Sequence, residues 1–167
     1  MRRTTITLLT LLALASITIV VVWADSAHYK KGPSFVDNGI TATATGTIAG
    51  LGNGDVSATL SFPNATSTTI CTSPGGNDAP GQNPAAPTPV TGTAVFSNPK
   101  NGSLAFTVTT QAPANPTPQQ AGCANPNWTA RIDNVTFGAG TLTIRQDNDG
   151  NGSFETLVLT SNVNLPS

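Results

Sequence analysis

Asp147, Asp149 and Asn151 stand at alternate positions, with Gly152 next, in the run Asp147-Asn148-Asp149-Gly150-Asn151-Gly152-Ser153-Phe154-Glu155. Alternate side-chain oxygens can converge on a hard cation while glycine allows the sharp turn, so this run matches the first half of an EF-hand-type calcium loop. The second half departs from that pattern: Val158 stands where a bidentate Glu is needed, and the flanks alternate as strands do. Glu155 offers a further oxygen, directly or through water. The metal reading is therefore Ca2+ on Asp147, Asp149, Asn151 and Glu155. The competing reading is a solvated Asn-Gly hairpin with acidic decoration.

Other reactive side chains are few. Gly50-Leu51-Gly52-Asn53-Gly54 is short of a phosphate-binding fingerprint, because Asp55 replaces its third glycine and no helix follows. His28 is the only histidine, so a Ser/His/Asp or Cys/His triad requires it to fold back onto the domain. A copper-binding histidine brace at a new N-terminus would need a second histidine. Asp37, Asp55, Asp78 and Asp133 could meet as paired carboxylates, though nothing in their spacing favours it. This census points away from an enzyme and toward a binding or structural role.

The two cysteines, Cys71 and Cys123, bracket most of the chain's prolines. In an exported chain they most simply pair with each other; two free buried thiols are the alternative. Closing a loop of ~50 residues is worth about 4 kcal/mol on the chain-entropy account. That matters in a chain whose apolar residues are mainly Ala and Val, each burying little area. Thr72–Pro89 and Gln111–Asn127 read as long loops with a hairpin-like unit between them, and structureless connections of that length are usually functional or disordered. Tied together by a disulfide, they form one loop-built face. Asn77, Gln82, Asn83, Asn125 and Trp128 are its candidate binding residues. Trp128 reads more readily as a core side chain packed on the disulfide than as a sugar-stacking platform, which would want several coplanar aromatics.

These groups must be positioned by strands. From Ile40 to Ile48 apolar residues alternate with Thr41, Thr43, Thr45 and Thr47, the period-two pattern of a half-buried strand. Val56, Ala58, Leu60 and Phe62 alternate again. Asn-Gly pairs at Asn53-Gly54, Asn101-Gly102 and Asn151-Gly152 predict three hairpins, since Asn-Gly readily takes the positive φ angles of a type I′ turn. Thr66–Cys71 and Thr129–Phe137 bring the strands to about eight. In the latter, Ile132 and the pair Val135 and Phe137 fall on opposite parities, so a bulge near Asp133-Asn134 is needed to bring them to one face. No window shows helical periodicity. The expectation is an all-β, antiparallel, Greek-key-like β-sandwich with one disulfide, over residues 38–167; a closed barrel is the runner-up.

Before it, residues 1–24 read as a signal peptide. Arg2 and Arg3 precede an apolar run, and Val22-Trp23-Ala24 offers a cleavage site, with Ala27 as a second choice. Thr4 to Trp23 is also long enough to cross a ~30 Å hydrocarbon core and could stay as a membrane anchor. Either way the remainder is exported, secreted or surface-attached. Residues 25–37 read as a polar N-terminal segment. After Ala24 the chain keeps five Lys/Arg against eight Asp/Glu, a net charge of −3. A nucleic-acid partner is excluded on that count, since phosphate backbones are held by clustered cations. Five Asn-x-Ser/Thr sequons, at Asn64, Asn101, Asn127, Asn134 and Asn151, matter only in a glycosylating host.

Gly50-Leu51-Gly52-Asn53-Gly54-Asp55-Val56, Cys71-x-x-Pro74-Gly75-Gly76-Asn77-x-Ala79-Pro80-Gly81-Gln82-Asn83-Pro84-Ala85 and Cys123-x-Asn125-Pro126-Asn127-Trp128-Thr129 resemble a group of small secreted bacterial proteins without an assigned activity. The resemblance implies a secreted all-β protein with one disulfide and transfers no site residues. The functional expectation is a secreted or cell-surface, non-catalytic module whose partner is an extracellular protein, a glycan or another copy. Two alternatives accompany it: assembly by β-strand addition through residues 25–37, and a calcium-stabilised carbohydrate- or matrix-associated module.

Overall fold

The structure, a computed structural model, describes residues 27–83, 87–97 and 99–165. Residues 1–24, the expected leader or anchor, lie outside them. The chain forms nine strands: β1 (His28–Asp37), β2 (Ala42–Ala49), β3 (Val56–Thr72), β4 (Asp78–Pro80), β5 (Thr88–Phe96), β6 (Ser103–Thr109), β7 (Thr129–Thr136), β8 (Gly138–Gln146) and β9 (Thr156–Leu165). A 3-10 turn at Lys100–Gly102 and one short helix, α1 (Pro118–Ala121), complete it.

All pairings are antiparallel. One sheet has the order β1-β2-β6, and the other is built around β3. The first half of β3 is flanked by β5 and β8, with β9 outside β8; its second half is flanked by β4 and β7. Thr136 pairs with Thr66 and Thr141 with Ser61, so β7 and β8 continue one another along the same side of β3. The two sheets face each other as a sandwich. Their lateral edges are stitched: Gln111 N–H donates to the Thr91 carbonyl on one side, and Ser161 donates to the Tyr29 hydroxyl on the other. At the first of these seams Gly92 is required, because a Cβ there would collide with the Thr109 carbonyl.

The period-two faces become the core. Ala42, Ala44 and Ile48 from β2, Val56, Ala58, Leu60 and Phe62 from β3, and Leu142 and Ile144 from β8 are all wholly buried. Phe62 and Phe137 pack with ring centroids 5.0 Å apart. The bulge expected in the seventh strand is present: Ile132 sits opposite Thr69 and Asn134 opposite Thr68, leaving Asp133 as the extra residue. Beyond it Val135 and Phe137 are buried, and Ile132 packs against the same core.

Several expectations are corrected. Of the three Asn-Gly hairpins only the third, β8 to β9, pairs its own flanking strands. The other two connections, β2 to β3 and β5 to β6, cross from one sheet to the other. The hairpin-like unit expected between the cysteines is therefore not a paired hairpin. Val56–Phe62 and Thr66–Cys71 are not two strands but parts of the single strand β3. The segment read as a polar N-terminal tail supplies β1, which pairs with β2 along its length with irregularities at Tyr29–Lys31 and Lys31–Ser34.

Candidate functional site

The second half of β3 carries the chain out of the sandwich body into a smaller lobe. There Ala65, Thr69 and Cys71 are buried, and Ser67 is half-buried between them. The lobe has little apolar material: Cys71 and Ala121 are buried but lie outside the main hydrophobic cluster. It is held by other means. Cys71 and Cys123 are joined in a disulfide with Cα atoms 5.6 Å apart, as expected. The α1 helix, packed on β3 and β7, delivers Cys123 to that bond. Its start is a capping box: Thr117 Oγ1 accepts the Gln120 N–H, and Gln120 Oε1 accepts the Thr117 N–H at 2.9 Å and its O–H at 3.0 Å. Its end is Gly122 with φ 70°, from which the chain turns so that Cys123 N–H reaches the Pro118 carbonyl at 2.8 Å.

Under α1 and the preceding loop lies an open groove of about 580 Å3. Ser67 and Thr69 of β3 and Ile132 of β7 line it together with Pro113, Asn115 and Gln120, and Asn83 and Thr88 also line it. Among the described residues no lining residue is charged. Asn115 ties its loop to the sheet, its Oδ1 accepting the Ile132 N–H at 2.9 Å. Val135 N–H donates to the Gly39 carbonyl at 2.8 Å, so two donors of β7 are already engaged by neighbouring loops. Beneath the groove Thr69 is 5% exposed and its hydroxyl has no partner among the described residues. Gly81 packs directly over it, where a Cβ would collide with both that hydroxyl and the Ala121 carbonyl.

Of the expected loop-face residues, Asn83 alone lines the groove. Asn77 closes the β3–β4 turn, accepting from Ser73 N–H through its carbonyl at 2.9 Å. Gln82 donates to the Pro80 carbonyl at 3.1 Å, and Asn125 Oδ1 accepts the Asn127 N–H at 2.9 Å. These three are exposed turn-formers. Trp128 is half-buried and is not among the side chains packed on the core, which corrects its reading as a core residue. Sequence reasoning missed Asn115 and Gln120. Thr117-Pro118-Gln119-Gln120 carries a capping-box signature with Pro at the first helical position, which could have located the helix. Nothing local marks Asn115, whose partner is 17 residues away.

The acidic run lies at the opposite pole, between β8 and β9. Asp147 is 4% exposed, and its two carboxylate oxygens accept the N–H groups of Gly150 and Gly152, each at 2.8 Å. Burial pushes its carboxyl up, but the bonds from Gly152, then Asp149, Gly150 and Asn151, outweigh that and hold it below the usual carboxylate range. Asp149 accepts from Asn151, and Asn151 Oδ1 accepts from Ser153 N–H. Glu155 is held through its carbonyl, to which Arg145 donates at 3.2 Å. The side-chain oxygens of the first three positions thus turn onto the turn's own donors. Among the described residues no three His, Cys, Asp or Glu side chains gather as a metal ion requires.

The remaining carboxylates are distributed. Asp78 and Asp133 flank Arg131 at 3.0 and 3.6 Å, all half-exposed. The Thr72 hydroxyl, and then Arg131, hold the Asp78 carboxyl below its ordinary range. Asp37 caps the Gly39 N–H at 2.8 Å, while Asp55 belongs to the far pole, where its carbonyl accepts Asp147 N–H. Among the described residues no helix is long and apolar enough to cross a membrane. No protein-family model, curated protein or solved structure matches this chain.

Proposed function

We propose that this chain is an exported, non-catalytic β-sandwich module that binds an extracellular partner through its disulfide-clasped lobe. The observation that carries this is the uncharged groove between the Pro113–Ala121 segment and the β3–β7 floor, of a size usual for small-molecule sites. A disulfide and a capped helix hold that loop at one place over the sheet, and pre-organised loops bind with less ordering cost. Export accords with the disulfide, since such bonds persist in oxidising compartments.

The test is an array of glycans and extended peptides probed with the oxidised protein and with a Cys71→Ala/Cys123→Ala variant. Wild-type binding that the variant loses, while its sandwich stays folded by circular dichroism, supports the reading. Turnover of any arrayed polysaccharide or peptide overturns its non-catalytic part. Equal binding by the two proteins removes the lobe from the function.

A further inference from the structure

Resting on that reading, we propose that the groove takes a short segment of a neutral saccharide, with the amide nitrogens of Asn115 and Gln120 as its hydrogen-bond donors. The chemistry of the lining narrows the choice. With no charged side chain among the described residues of the groove, a charged ligand would lose hydration without gaining a counter-charge. A primary amide has one acceptor oxygen and two donor hydrogens. Both amide oxygens are committed to the fold, Asn115 Oδ1 to Ile132 and Gln120 Oε1 to Thr117. Their orientation is thereby set, and what each offers a ligand is its NH2 group. Ser67 adds a hydroxyl, and the half-buried rings of Pro113 and Pro116 add apolar surface. A pyranose has the matching character, with ring and hydroxyl oxygens at its rim and C–H groups on its faces.

A peptide bound by strand addition fits less well. The outward N–H groups of Ile132 and Val135 on β7 already donate to Asn115 and Gly39. An added strand would have to displace both before its own ladder could form.

The same geometry supplies the test. Asn115→Asp and Gln120→Glu each keep the acceptor oxygen that holds the loop or caps the helix, and each replaces the NH2 donor by a second oxygen. The disulfide-intact exported protein is titrated with cello-, malto-, manno- and chito-oligosaccharides while its amide resonances are followed by NMR. An anionic oligogalacturonate and a proline-rich peptide serve as controls. The expected result is saturable shifts at Asn115, Gln120, Thr69 and Ile132 with a neutral saccharide, weakened about tenfold in each variant at unchanged Tm. Binding undiminished in both variants, shifts centred away from the groove, or no saturable shift with any neutral saccharide overturns the assignment. Shifts in the groove with the peptide alone overturn the saccharide and leave the binding module standing. Silence from every probe removes both.

Discussion

Around Phe62 the chain is held by side-chain volume; farther along the same strand, around Cys71, it is held by a covalent link. The body packs β2, β3, β6 and β8 about wholly buried side chains such as Ile48, Leu60 and Leu142. The lobe has Ala65, Ala121 and a disulfide, and between them a threonine hydroxyl with no partner among the described residues. A face filled with apolar bulk excludes ligands as well as water. The lobe, built from prolines, amides and a clasp, keeps its shape without filling its interior, and the groove is the space left over.

That contrast can be broken at several points. Phe62→Ala should cost about 3–5 kcal/mol and lower the stability of body and lobe together, as read by denaturant unfolding. Cys71→Ala with Cys123→Ala should cost about 2–4 kcal/mol. Here hydrogen exchange is the sharper readout: protection should fall across residues 111–128 and persist in β8 and the first half of β3. Loss of protection throughout would mean that the lobe is not separately held. Thr69→Val should raise stability by up to about 1 kcal/mol, since it removes a buried hydroxyl that lacks a partner among the described residues. A lower Tm would show that the hydroxyl is satisfied after all.

The carboxylates of the two poles give smaller effects. Asp78 and Asp147 both have folded-state pKa values below the ordinary carboxylate value, so their contribution is present above about pH 4. It is lost as pH falls through the lower folded-state values. Asp147→Asn should lower Tm at neutral pH and flatten its decline in acid, whereas an unchanged acid profile would show that Asp147 is not the titrating group. Smallest of all, calcium or a chelator should leave Tm where it is, because the turn closes on its own donors; a shift in opposite directions with the two would assign Ca2+ to the turn.

Much of the body could be read directly. Alternation in Ala42–Ile48 and Val56–Phe62 is a local property, and the buried faces follow it. The bulge at Asp133 was legible for the same reason, as a break in parity within one strand. The Asn-Gly turns show where local reading stops. Asn101 and Gly102 do take positive φ, 56° and 65°, so the turn conformation follows from the residues. Which strand each arm then joins does not: β5 finds β3, and β6 finds β2, partners far away in sequence. The lobe was harder still. Its disulfide was legible from compartment and count, but the groove depends on Asn115 reaching Ile132 and on Gly81 lying over Thr69. Those are relations between segments that no local periodicity encodes.

The strand β3 runs from the body into the lobe, with neighbours on both sides at Val56–Ser61 and again at Ile70–Thr72. A tug transmitted from the lobe is therefore directed lengthwise along that ladder, loading many bonds at once in shear instead of peeling them singly. Were the proposed partner bound at the lobe, such a ladder would suit that attachment to tension.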